Sequence, residues 1–137
     1  MPHIIIEYSS NLTPSGTIEQ LVTGVYEATL ATGIAGVAGV RVRAVEQCDY
    51  RVADNHPSRA FVAMVLRLGP GRTTEAKLEL INAVLDAGEQ ALQSVARPSP
   101  DESNGDVFDI AWSAEVQEID ATHRINRNHI APMLDPN

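Results

Sequence analysis

The chain has 137 residues, 44% hydrophobic and 20% charged, which suits one globular domain with a single core and excludes a disordered chain. A formal charge of −8 excludes the basic footprint that nucleic-acid binding needs. The single cysteine, Cys48, cannot close an internal disulfide, and His3, His56, His123 and His129 are scattered without a paired-ligand spacing, so no metal and no cofactor are expected.

The chain opens MPHIIIEY, and residues 4–8 read as a short β-branched strand that gives way to the turn-forming SSNLTPSG. A helix is predicted from Thr17, because Thr17 and Gln20 have capping-box spacing and Ile18, Leu21, Val22 and Val25 follow at helical intervals. It stops near Gly33, in the glycine-rich ATGIAGVAG. Val40, Val42 and Ala44 then alternate with Arg41 and Arg43 as a second strand.

After the turn region DYRVADNHPS the same order returns. FVAMVLRL, residues 61–68, is a continuous apolar strand, and GPGR is a turn. A second helix runs from Thr74 to about Val95 with Leu78, Ile81, Leu85, Leu92 and Val95 as its apolar stripe. RPSPDESNG is loop-like. Phe108, Ile110, Trp112, Ala114 and Val116 then alternate with polar residues as a fourth strand, with Trp112 on the core side, and the tail 120–137 carries no assignable pattern. Apolar runs fall well short of the roughly 20 residues of a membrane span, and no basic region precedes the first of them, so a cytoplasmic protein without a membrane partner is expected.

Two β-α-β units, about residues 2–48 and 59–119, therefore make up one domain spanning 1–137. Right-handed crossovers place both helices on one face of a four-stranded mixed sheet, an α+β (α/β sandwich) architecture. FVAMVLRL and the isoleucine run are apolar at both parities, so the second sheet face also calls for burial. No helix remains to cover it, and a homo-oligomer is predicted on that ground.

Pro2 is tolerated at the first position of a strand, where its missing N–H costs little. It also has a chemical reading: initiator methionine is removed when the next side chain is small, and removal of Met1 would leave Pro2 with a free secondary amine. Arg72 precedes a helix N-terminus, where unpaired N–H groups already favour an anion and a guanidinium adds a bidentate clamp. The simpler reading of Arg72 is a solvated charge beside a turn. Arg41 and Arg43 share one strand face, so that one can hold a substrate while the other pairs with a carboxylate. His3 is placed to orient Pro2, or is merely hydrogen-bonded.

Taken together, MPHIIIEYSSNL, the β-α-β repeat, ATGIAGVAGVRVR and FVAMVLRLGPGRTTEAK resemble the 5-carboxymethyl-2-hydroxymuconate isomerase branch of the tautomerase superfamily. The resemblance extends over about residues 2–96, and reaches the last strand by pattern only. It implies the tautomerase-like fold, Pro2 as the proton-transferring base, and Arg41 and Arg72 as ligands of substrate carboxylate and carbonyl groups, with Arg43 and His3 as lesser candidates. It implies further a homotrimer that ketonises a di- or tricarboxylate 2-hydroxymuconate-type dienol in the breakdown of aromatic acids. The alternatives are a tautomerase-fold enzyme of different chemistry, such as a phenylpyruvate-type tautomerase or a hydratase, and a non-catalytic oligomeric binding protein if Met1 is retained.

Overall fold

Alternation within the three isoleucines decides which side of the first strand is core: Ile4 and Ile6 are fully buried, while Ile5 between them faces the other way and is only half-buried. The computed structural model describes residues 2–98 and 107–134. Its elements are β1 (His3–Ser9), a 3-10 turn (Ser10–Ser15), α1 (Ile18–Ala31), a 3-10 turn (Val37–Gly39), β2 (Arg41–Gln47), β3 (Arg59–Leu68), α2 (Thr74–Ala91) and β4 (Asp109–Glu118). A 3-10 turn (Ala121–His123) and the single turn α3 (Ala131–Leu134) follow.

The strands form one sheet in the order β2-β1-β3-β4. Each β-α-β unit contributes a parallel pair, β1 with β2 and β3 with β4, and the two units join through antiparallel β1 and β3. Even-numbered residues of β1 and β3, from Ile4 to Tyr8 and from Ala60 to Leu68, pack with Leu21 and Val25 of α1 and with Leu80 and Val84 of α2 in one core. Both helices thus lie on one face, as the handedness argument requires. The opposite, open face carries Ile5, Val45, Phe61 and Val65, with Tyr50 set edge-on to Phe61 at 6.1 Å between ring centroids. Apolar residues therefore do occupy both parities of the two central strands.

Three sequence expectations need correction. Thr17 sits at the N-cap of α1 but makes no capping bond, because its φ of −97° and ψ of −1° are not extended and its hydroxyl pairs instead with Ser15 Oγ at 2.6 Å. Helix α2 ends at Ala91 rather than near Val95. Its buried stripe is Leu80, Val84 and Gly88, with Leu92 just beyond, whereas Leu78 is 52% exposed and Ile81 and Leu85 only flank the core. At Gly88 this stripe meets the ring of Trp112 on β4. The N-terminus of α2 is capped by Thr73, whose hydroxyl accepts from Ala76 N at 3.1 Å. The loop before β4 falls largely outside the described residues, 99–106 among them.

A Cβ on Gly88 would stand 2.6 Å from Trp112 Cζ3 and 3.1 Å from its Cη2. Gly88→Ala should gain about 1 kcal/mol in helix propensity and lose more than that to overpacking, for a net destabilisation of about 1–2 kcal/mol in urea unfolding. In a Trp112→Leu background, which lacks those ring atoms, the same change should become stabilising. An equal effect in both backgrounds would contradict this packing account.

Candidate active site

Strand polarity brings a particular set of residues to one end of the sheet. β1 and β2 begin there, and antiparallel β3 and its parallel neighbour β4 end there. Pro2 is buried at that end, and its carbonyl accepts from Arg41 N at 3.1 Å, which fixes the start of β1 to the start of β2. His3 follows, paired in register with Arg41 on one side and Arg67 on the other. The Arg43 guanidinium, on the open face, reaches the His3 ring with Nη1 at 3.3 Å from Nδ1. Since the guanidinium can only donate, Nδ1 accepts and the imidazole proton resides on Nε2.

Electrostatics favour the neutral ring. Partial burial pushes the His3 pKa below its ordinary value, and the charges of Arg43, Arg41, Arg67 and Arg124 depress it further. A neutral imidazole beside Pro2 is the result. Arg41 directs Nη1 to Gly39 O at 3.1 Å. Within the chain Arg43 bonds to His3, and it makes no ion pair among the described residues.

Arg72 reaches the same end of the sheet by another route. Gly71, at φ +105°, turns the chain after β3 so that Arg72 folds back over it. Its Nη1 donates to Gly69 O at 3.1 Å, and Nη2 and Nε donate to Ile34 O at 3.2 and 3.4 Å. Arg72 therefore ties the segment after β3 to the segment before β2, and is neither solvated at random nor fully open toward an anion. Lys77, near the start of α2, pairs with Glu118 at the end of β4.

The tail, unassigned from sequence, takes part here. Ile119 N donates to Leu68 O at 2.7 Å beside β3, and Asn128 Nδ2 donates to Ala38 O at 2.9 Å just before β2. β1 lies between β3 and β2, so the tail passes across the sheet end where β1 begins. Arg124, on this crossing segment, is partly buried although His123 and Ile125 on either side are exposed. Arg67 and Arg124 were not singled out from sequence. The parity of FVAMVLRL puts Arg67 off the core face, but only the antiparallel register shows that it meets His3.

The opposite end of the sheet is built by the second unit and contrasts in charge. There Arg59 starts β3 and Asp109 starts β4, paired in register. Asp109 accepts from Arg97 Nε at 2.6 Å and Arg59 Nη1 at 2.7 Å, and Arg59 Nε also meets Asp54 at 2.9 Å. Hydrogen bonding to Arg97 lowers the Asp109 pKa. These charges satisfy one another, whereas at the Pro2 end Arg43, Arg67 and Arg124 make no ion pair among the described residues. No group of three His, Cys, Asp or Glu able to hold a metal occurs among the described residues.

Two β-α-β units joined antiparallel, with both helices on one face, define a protein of the tautomerase fold. Residues 2–134 match the family model described as 5-carboxymethyl-2-hydroxymuconate isomerase, and the chain belongs to that family; it is an isomerase. It is 28% identical over 130 residues to a 5-carboxymethyl-2-hydroxymuconate Delta-isomerase of Escherichia coli, covering 95% of this chain and 96% of the relative. The crystal structure of a 5-carboxymethyl-2-hydroxymuconate isomerase from Deinococcus radiodurans R1 is similar at a TM-score of 0.80 and 29% identity, over 97% of this chain and 93% of that one. A fused 4-OT solved as a symmetric trimer shares the fold at a TM-score of 0.61 and 23% identity, over 92% of each chain.

Proposed function

We propose that this isomerase ketonises a carboxylated 2-hydroxymuconate-type dienol, of the 5-carboxymethyl-2-hydroxymuconate class, with Pro2 as the proton-transferring base once Met1 has been removed. The observation that carries the reading is the burial of Pro2 at the start of β1, at the sheet end to which Arg41 and Arg72 also belong, in a chain whose overall charge is −8. Burial and neighbouring cations both disfavour a protonated amine, lowering its pKa toward the range useful for a proton shuttle at neutral pH. The neutral amine accepts the proton of the 2-hydroxyl group, electrons move through the diene, and the same proton is delivered to carbon to give the conjugated 2-oxo acid. Arg41 is assigned to a substrate carboxylate, and Arg72 to the carbonyl oxygen on which charge develops through the hydrogens that Ile34 and Gly69 leave available. His3 and Arg43 are assigned to positioning, as a neutral imidazole held beside Pro2.

The proposed assembly is a homotrimer, supported by the apolar open sheet face and by the trimeric fused 4-OT of the same fold. The proposed setting is cytoplasmic breakdown of aromatic acids. No helix among the described residues is long and apolar enough to cross a membrane.

The deciding experiment joins mass spectrometry to an assay. Intact mass of natively expressed protein should show loss of Met1, and that species should ketonise 5-carboxymethyl-2-hydroxymuconate faster than phenylenolpyruvate. Turnover of phenylenolpyruvate alone would replace the substrate class with a phenylpyruvate-type tautomerase. Full retention of Met1 would leave Pro2 as an amide without a basic lone pair and would remove the proline mechanism.

A further inference from the structure

Like charges set directly opposite on neighbouring strands repel. The open face of this sheet nonetheless carries Arg41, His3 and Arg67 side by side on β2, β1 and β3, with Arg43 bonded to the central imidazole. Arg67 is only partly exposed, and its side chain makes no hydrogen bond or ion pair among the described residues; the same is true of Arg124. Arg124 is held over this end by a tail anchored on both sides, at Leu68 and at Ala38. The chain has 18 acidic side chains against 10 lysines and arginines, so the absence of ion pairs at Arg67 and Arg124 among the described residues is not a shortage of carboxylates. An arrangement of this kind is stabilised by an anion brought from outside.

We propose that Arg67 and Arg124 form a second anion position that holds a substrate carboxylate remote from the carbon receiving the proton, and so selects di- and tricarboxylates over monocarboxylates. The identity of the ligand as substrate rests on the function proposed above; the anion position itself does not. Arg41 takes the carboxylate nearer the reacting end, and the tail, by carrying Arg124 across the sheet, becomes a specificity element. The depressed pKa of His3 accords with this, since Arg67 and Arg124 both act on its ring.

A pair of probes that cannot ketonise separates the two ideas: trans,trans-muconate, a dienedioate, and sorbate, the corresponding monocarboxylate. By titration calorimetry the mature protein should bind muconate about tenfold or more tightly than sorbate, the worth of one added charge-assisted contact. Arg67→Gln and Arg124→Gln should each bring that ratio close to one, while Arg67→Lys should retain part of it. A ratio unchanged in both glutamine variants overturns the proposal, as does loss of the assembly with the preference intact, which would make these arginines subunit contacts. If Arg67→Gln does not fold, Arg124→Gln on the tail decides alone. Muconate preference in a protein without isomerase turnover would refute the Pro2 reading and keep the anion position; turnover without preference would do the reverse.

Discussion

Pro2→Ala should lower kcat/KM for the carboxylated dienol by about a hundredfold or more, the usual worth of a positioned general base, and leave a measurable residue of activity. The residue is expected because removal of Met1 from this variant still exposes an amine, now primary, at the same place. Alanine preserves the carbonyl that accepts from Arg41 N, so the joint between β1 and β2 survives. It lacks two ring methylenes in a buried position, a stability cost of about 1–2 kcal/mol that leaves the protein folded at assay temperature. Loss of rate should therefore appear with folding and assembly intact. A variant that retains Met1 should have no proline-dependent turnover, since the nitrogen is then an amide. Wild-type kinetics in Pro2→Ala would remove the proton shuttle from the mechanism.

The pH profile provides an independent check. A base whose pKa is lowered by burial and by arginines is active above that pKa, so kcat/KM should rise through it as pH increases. Neutralising a neighbouring cation moves that limb upward. Arg43→Gln, which also removes the donor to His3 Nδ1, should shift it to higher pH. A downward shift would mean that the titrating group is not a cation being destabilised by its neighbours.

Much of this site is legible in the sequence because local signals agree with the fold. The isoleucines mark a strand with Pro2 at its start, GVRVR gives alternating arginines, and repetition of the β-α-β order gives a sheet with its helices on one side. What was hidden depended on register. His3 and Arg67 are 64 residues apart, and no periodicity predicts that antiparallel pairing sets them opposite one another. The tail was illegible for a related reason: its course is fixed by single bonds from Ile119 to Leu68 and from Asn128 to Ala38, not by a repeating pattern. The α2 stripe is obscured in the sequence for a different reason. Leu78 looks like a core residue by size and spacing, but the face of α2 that meets the sheet runs through Leu80, Val84 and Gly88, where the absent side chain makes room for Trp112, and Leu78 lies outside it.

Arg72 joins two separate segments through one side chain, and its replacement is the sharper test of how binding and architecture are shared. Arg72→Ala removes donors to Ile34 O and Gly69 O, which hold together the two segments flanking the Pro2 end of the sheet. Gly69 is itself buried, and loss of charge-assisted bonds to partly buried carbonyls should cost about 2 kcal/mol. The rate should fall by about a hundredfold or more if Arg72 also stabilises the developing dienolate. Arg72→Lys distinguishes the two roles, because an ammonium can bond one carbonyl but cannot span both in a plane. A brace alone predicts that lysine recovers little stability, with rate and stability recovering in proportion. A brace that is also an electrostatic ligand predicts that lysine restores more of the rate than of the stability, since its charge remains near the carbonyl oxygen. Urea unfolding and steady-state kinetics on the three proteins measure both quantities. If Arg72→Ala retained wild-type kinetics while losing the expected stability, Arg72 would be architecture only, and the stabilisation of the dienolate would fall to Arg41.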